Sequence, residues 1–80
     1  MTVTITERIN SRMRLRSDLP EPDERRQIRE AAGLSQQEIA DALGVSRSAI
    51  AQWEQGVRYP RERYRAAYAE ALDAMKKAGA

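Results

Sequence analysis

The chain of 80 residues contains no cysteine, no histidine and no phenylalanine. Without cysteine, disulfides, zinc–thiolate sites and thiol catalysis are excluded. Without histidine, the chain also lacks the commonest general base and the commonest nitrogen ligand of metals. Because these absences close most enzyme mechanisms and most metal sites, we expect neither catalysis nor a cofactor.

Long apolar segments are missing as well. The chain has no run of about 18 apolar residues, and its start lacks the apolar core of a signal peptide. We therefore expect no membrane contact and a cytoplasmic protein. A chain of this length has room for one small domain, so we also expect no separate ligand-sensing domain and no small-molecule ligand.

The charged residues that are present carry a basic bias. The chain holds 14 cations and 12 anions, and 12 of the cations are arginine. Arginine has a planar donor fork that suits phosphate groups and guanine edges. A GC-rich genome, whose codons favour arginine, explains the bias equally well. Residues 57–80 hold six of the cations, so the positive charge is concentrated at that end.

Glycines and capping residues divide the middle of the chain into short helices. Gly33, Gly44 and Gly56 each follow a segment with helical spacing, as residues just beyond a helix end do. A capping box, S-x-x-E, begins at residue 35, and a second serine cap lies at residue 46. The pattern predicts helices over 36–43 and 47–55, joined by a short turn.

Prolines and one apolar stripe bound the flanking helices. Pro20 and Pro22 precede acidic residues, which predicts a helix that ends near Ala32. After Pro60 the longest stripe in the chain predicts a helix over 61–78. Its members are Tyr64, Ala67, Tyr68, Ala71, Leu72, Met75 and Ala78. We expect an all-α domain of four to five helices over 21–80.

Residues 1–20 are the least regular part of the chain. Ile5, Ile9 and Met13 have the i, i+4, i+8 spacing of a helix face, but arginines share that face. The segment is predicted to be a basic arm or a short helix. A basic arm of this kind is suited to the minor groove of DNA or to a protein partner.

Residues 36–56 read QQEIADALGVSRSAIAQWEQG. This stretch resembles the Cro/C1-type helix-turn-helix, the XRE family, and the resemblance extends over about residues 24–68. Its marks are a small residue between the helices, a glycine in the turn, an apolar residue after it and two core residues: Ala40, Gly44, Val45, Ile50 and Trp53. The resemblance implies a DNA-binding domain whose second helix, 47–55, enters the major groove.

The resemblance implies base contacts at the start of helix 47–55 and one turn and a half later. The residues are Ser46, Arg47, Ser48 and Gln52, with Arg47 the first candidate because arginine reads guanine by two hydrogen bonds. Side chains on that outward face are short or polar, which suits a groove about 12 Å wide. The alternatives are an N-cap for Ser46 and ordinary surface positions for the others.

Contacts to DNA phosphates are expected on either side of that face. The resemblance implies such contacts for Gln36 and Gln37, and we assign Gln55 to the same role. Arg58 and Arg61, in the basic stretch that follows, are suited to the same backbone. Solvated surface residues are the alternative for all five.

Structural roles are expected for a second set of residues. The resemblance implies an internal salt bridge between Arg29 and Glu54. Core packing is predicted for Leu34, Ile39, Leu43, Val45, Ile50 and Trp53. In the last helix we expect the first half of the stripe to pack on the domain and the second half, Leu72 and Met75, to form a dimer surface.

These expectations favour a sequence-specific regulator that binds double-stranded DNA. The simplest form is a homodimeric Cro-like or phage-type repressor on a pseudo-palindromic site, in a bacterial or phage-infected cell. An antitoxin that grips a toxin through residues 1–19 is the alternative. An enzyme is disfavoured. The two conceivable pairs of catalytic carboxylates, Glu30–Glu54 and Glu38–Asp41, are better explained as surface or helix-capping residues.

Overall fold

The computed structural model describes residues 19–79, and these residues form four helices without a strand. The helices are α1 (Pro22–Ala31), α2 (Gln36–Leu43), α3 (Arg47–Gln55) and α4 (Glu62–Ala78). The predicted all-α class is confirmed. Both ends were predicted for the last three helices, and the observed bounds agree with those predictions to within one residue. The predicted N-terminal arm or helix lies outside the described residues.

Side-chain caps begin the two central helices. The Ser35 hydroxyl accepts a hydrogen bond from the Glu38 N–H at 3.1 Å, and the Glu38 carboxylate accepts one from the Ser35 N–H at 3.2 Å. The Ser46 hydroxyl accepts a hydrogen bond from the Ala49 N–H at 3.1 Å. Each cap satisfies a backbone donor that the helix itself leaves unpaired, so the starts of α2 and α3 are encoded locally.

The turn between α2 and α3 depends on Gly44. Its φ is +71°, a left-handed conformation that costs other residues about 1–2 kcal/mol. The next N–H, that of Val45, donates to the Ala40 carbonyl at 3.0 Å and closes the turn. Ala40 has no exposed surface, since a methyl group is all that fits where the two helices meet.

The core lies between α4 and the two central helices. The Trp53 ring is tilted against Tyr68, with ring centroids 4.9 Å apart, and against Tyr64, with ring centroids 6.4 Å apart. The buried apolar side chains are Leu19, Ile39, Ala40, Ile50, Trp53, Tyr68, Leu72 and Met75. Trp53 therefore anchors α3 to α4.

Three of the predicted core residues are fully buried and three lie at the core edge. Ile39, Ile50 and Trp53 are buried, as predicted. The half-buried residues that pack against the core are Leu34, Leu43 and Val45. The core prediction is thus confirmed, with its less buried members on the connecting segments and at the end of α2.

Leu72 and Met75, which were expected to form a dimer surface, are buried within the single chain. Leu72 is 2 % exposed and Met75 is 5 % exposed, because the second half of α4 packs against α1 of the same chain. Side chains buried within one chain are not available to a second chain. Tyr68, Leu72 and Met75 of the α4 stripe therefore belong to the core of the domain, whereas Ala67 and Ala78 are exposed.

A buried ion pair joins α1 to the last turn of α3. Arg29 donates from Nε to Glu54 Oε2 at 2.6 Å and from Nη2 to Glu54 Oε1 at 2.9 Å. The two side chains are 11 % and 4 % exposed. Hydrogen bonding to Glu54 raises the pKa of Arg29 above its ordinary value. This is the pair for which the sequence predicts a salt bridge.

Two further hydrogen bonds complete the surroundings of this pair. Arg29 Nη1 donates to the Leu34 carbonyl at 2.8 Å, and Gln36 Nε2 donates to Glu54 Oε1 at 3.1 Å. Glu54 thus accepts from both α1 and α2 while it belongs to α3. The carboxylate therefore fixes three helices relative to one another.

The hydroxyl of Tyr68 is buried beside this pair. It makes no hydrogen bond to any residue in the range 19–79. Burial, and to a lesser extent the negative charge of Glu54, raises the pKa of Tyr68 from 10.0 to about 12. The phenol therefore stays protonated in the folded domain over a range in which an unfolded tyrosine ionises.

Breaking the Arg29–Glu54 pair should destabilise the domain strongly. We expect Glu54→Gln and Arg29→Met each to lower the free energy of unfolding by about 3–5 kcal/mol, because each change leaves a buried group without its partner. The double variant should cost less than the sum, with a coupling energy of about 1–3 kcal/mol. Chemical denaturation of the four proteins measures this coupling.

Asp73 and Lys77 provide a control on α4. They form an i, i+4 pair at 3.0 Å with side chains 63 % and 78 % exposed. The same cycle there should give a coupling of only about 0.3–0.5 kcal/mol, because solvent screens the charges. Equal coupling energies at the two pairs would contradict the structural role of Glu54.

Tyr68→Phe should be tolerated at neutral pH and should change the response to alkali. The lost hydroxyl has no partner among the described residues, so the variant should be as stable as the parent or more stable. Because the folded pKa of Tyr68 is raised, the phenol leaves stability independent of pH below about pH 10 and destabilises the folded domain as pH rises from 10 to about 12.

Between these pH values the parent should lose up to about 2–3 kcal/mol relative to Tyr68→Phe. Urea denaturation of both proteins at a series of alkaline pH values measures the difference. Parallel stability curves for the two proteins would show that the Tyr68 phenol titrates alike in the folded and unfolded states.

Candidate nucleic-acid interface

Helix α3 has an outward face and a buried face. At about 100° per residue, positions 47, 48, 51, 52 and 55 fall within an arc of about 140°. On this arc Arg47, Ser48 and Gln55 are exposed and Gln52 is half-buried. The opposite face is buried through Ile50, Trp53 and Glu54. Three of the four side chains predicted to read bases, Arg47, Ser48 and Gln52, thus share the face that points away from the core.

Arg47 is the most available donor on this face. It is exposed and makes no side-chain hydrogen bond or ion pair with the described part of the chain. It is also the one cation among residues 34–56, which carry three anions. Its guanidinium group is therefore open to an external acceptor.

Ser46 combines two roles at the start of α3. Its oxygen accepts the Ala49 N–H, so the capping role that sequence analysis held as an alternative is present. A hydroxyl group that accepts one hydrogen bond still has a proton to donate. Ser46 is exposed, so that donor remains accessible beside Arg47.

One surface cavity brings a predicted base reader together with two predicted phosphate ligands. Gln52, Arg58 and Arg61 line a cavity of about 190 Å³. The remaining lining residues are Val45, Ala49, Trp53, Tyr59 and Tyr64. The N–H groups of Val57 and Arg58 donate to the Gln52 carbonyl at 3.0 and 3.4 Å, which folds the loop after α3 back onto the helix.

The start of α2 matches the expected phosphate contacts only in part. The Gln36 side chain is half-buried and donates to Glu54, so its amide is used within the domain. Gln37 is exposed and donates to Asp41 on its own helix at 2.8 Å. The backbone N–H groups of both glutamines have no acceptor among residues 19–79, and such groups at a helix start favour anions.

Sequence analysis missed Arg25, which is only 2 % exposed. Its Nε donates to the Pro20 carbonyl at 2.7 Å, and its Nη1 donates to the Trp53 carbonyl at 3.0 Å. Arg25 lies one helical turn before Arg29, so the spacing places both on the face of α1 that meets α3. The four-residue spacing from Arg29 could have indicated that Arg25 is also buried. It was not used, because arginine is rarely buried to this extent.

Two other kinds of feature are absent among residues 19–79. No group of acidic residues within 19–79 is arranged to hold a metal ion. None of the four described helices combines the length and apolar character needed to cross a membrane. The exposed polar face of α3 and the basic loop that follows it remain the candidate interface.

Comparison with known families agrees with this geometry. A family model described as helix-turn-helix matches residues 26–74, which include α2 and α3 completely. The same kind of comparison finds no match among curated proteins or among solved structures. The matched range exceeds half of the chain and contains the capped helices, the glycine turn and the outward face described above. The chain belongs to the Cro/C1-type helix-turn-helix family of DNA-binding proteins, the XRE family.

Proposed function

We propose that this protein is a sequence-specific transcriptional regulator, most simply a repressor of the Cro or phage type, in a bacterial or phage-infected cell. The observation that carries the proposal is the division of α3 into a buried face and a polar outward face. A helix of this kind fits the major groove with its first residues against the base edges.

Base reading is assigned to the outward face of α3. Arg47 is suited to guanine, because its fork donates to O6 and N7 together, and Gln52 is suited to adenine in the same way. Ser46 and Ser48 are short enough to let the helix start approach the bases, and each has a hydroxyl donor. Each good bidentate pair discriminates against a wrong base by about 1–3 kcal/mol.

Phosphate binding is assigned to the flanks of this face. Arg58 and Arg61 are exposed and line the cavity beside α3. The unpaired N–H groups of Gln36 and Gln37 supply a second contact at the start of α2, and Gln55 supplies a third at the end of α3. Residues 57–80 carry six cations and three anions, so the flank provides the attraction to DNA.

We further propose that the protein binds DNA as a homodimer. A dimer with two-fold symmetry would place two copies of α3 about 34 Å apart on a pseudo-palindromic site. Leu72 and Met75 are buried within the chain, so the contact between the subunits lies elsewhere.

The two kinds of contact should respond differently to mutation. We expect Arg47→Ala to relax base preference at one position of the site, because one base edge loses its donor. Arg58→Ala should weaken binding to all sequences alike. It should also reduce the slope of log affinity against log salt by about 0.9, the contribution of one phosphate contact. Selection from a random DNA library, followed by titrations at several salt concentrations, measures both effects.

Arg65→Ala is a suitable control for Arg58→Ala, since it removes the same charge from the same flank at a position to which we assign no contact. It should change affinity less than Arg58→Ala does. If Arg47→Ala and Arg58→Ala both reduce affinity equally for every sequence, Arg47 is not a base reader. If the parent shows no preference for any sequence, the proposed function is wrong.

The dimer should be visible in both the protein and its site. We expect sedimentation to show self-association that increases with protein concentration or on DNA, and the selected site to contain two inverted half-sites. Half-site spacing should be about 10 base pairs or a multiple of it. A monomer at high concentration, free and on DNA, would contradict the proposed dimer.

A further inference from the structure

Three segments of the chain meet at the guanidinium group of Arg25. The group bonds to the Pro20 carbonyl before α1 and to the Trp53 carbonyl in the last turn of α3. It also lies over the Tyr59 ring, 5.4 Å from the ring centroid. Arg25 thus connects the entry to α1, the end of α3 and the loop of residues 56–60.

The charge of Arg25 is balanced without a carboxylate. No acidic side chain among the described residues lies within ion-pair distance of it. The Trp53 carbonyl belongs to the C-terminal turn of α3, where the helix dipole attracts a cation, and the ring face of Tyr59 attracts it as well. Because arginine does not lose its proton in proteins, this buried cation needs these partners to remain in place.

In the loop of residues 56–60, Pro60 is buried and the four residues before it are exposed. Val57 is 67 % exposed and Tyr59 is 47 % exposed, so neither side chain is held by burial in the core. The loop carries Arg58 and leads directly to Arg61, the two cations that share a cavity with Gln52. Contacts that hold this loop to α3 therefore also determine where the two cations lie.

We propose that Arg25 is a positioning residue for DNA binding. By bonding to Trp53 and stacking on Tyr59, it sets the loop of residues 56–60 against the end of α3 before DNA arrives. Arg58 and Arg61 are then held on the side of Gln52, and binding does not have to order them. This inference rests on the proposed function, since it assigns Arg25 to the phosphate contacts of the same interface.

The main test compares the salt dependence of DNA affinity in Arg25→Met and the parent. Each phosphate contact contributes about 0.9 to the slope of log affinity against log salt, so the variant should lose about 1–2 from that slope. The preferred base sequence should stay the same. A residue that only stabilises the fold would lower the active fraction and leave the slope unchanged, and that result would overturn the proposal.

Tyr59 supplies a second pair of variants in case Arg25→Met does not fold. Tyr59→Ala removes the ring from a half-exposed position and should reproduce the loss of slope, whereas Tyr59→Phe keeps the ring and should restore the parent slope. An unchanged slope in Tyr59→Ala would overturn the proposal. Arg26→Met is the charge control, because this exposed neighbour has no contact with α3 or the loop and should leave the slope unchanged.

Amide hydrogen exchange tests the positioning without DNA. The Val57 and Arg58 N–H groups bond to the Gln52 carbonyl, and in Arg25→Met their exchange should accelerate at least tenfold more than that of amides in α4. If the exchange of the Val57 and Arg58 amides accelerates in Arg25→Met but the salt dependence of DNA affinity stays the same, Arg25 has no role in phosphate binding. If the parent binds no DNA, the proposed function fails, and the exchange result still shows whether Arg25 holds the loop.

Discussion

One buried carboxylate, that of Glu54, determines how helix α3 is held. It accepts two hydrogen bonds from Arg29 of α1 and one from Gln36 of α2. The arrangement is directional, unlike apolar contact, so it defines the angle at which α3 leaves the core. A DNA-reading helix requires a defined angle, because base edges are recognised by hydrogen bonds of fixed geometry.

The need for such fixation follows from the length of the helices. α2 has 8 residues and α3 has 9, which is too short for either to be stable in isolation. Their order comes from the caps, from Trp53 in the core and from the two arginines of α1. Arg25 and Arg29 lie one turn apart and bond to consecutive residues of α3, Trp53 and Glu54. Helix α1 therefore holds the end of α3 by two adjacent polar contacts.

The helices were predictable from sequence because their signals are local. Serine caps, glycines in left-handed conformation and prolines act within a few residues, and they indicated the bounds of α2 and α3 correctly. The pairing of Arg29 with Glu54 followed from the family resemblance, since nothing in the local sequence joins residues 25 positions apart.

Burial against a distant segment was less predictable. The stripe that contains Leu72 and Met75 showed that this face of α4 is covered, but periodicity is the same whether the cover is α1 or a second subunit. Arg25 was missed, and the bond from the Gln36 amide to Glu54 was not predicted, for a related reason. Their partners, the Trp53 carbonyl and the Glu54 carboxylate, become neighbours only after the chain has folded.

The outward face of α3 has a consequence for how this domain can diversify. Arg47 and Ser48 lie at exposed positions and bond to none of the described residues, so their replacement costs little folding free energy. The groups that hold α3 occupy its other face and its last turn. On the proposed function, DNA specificity and stability are encoded by separate residues of one nine-residue helix. Substitutions on the outward face would then change the preferred operator without unfolding the domain.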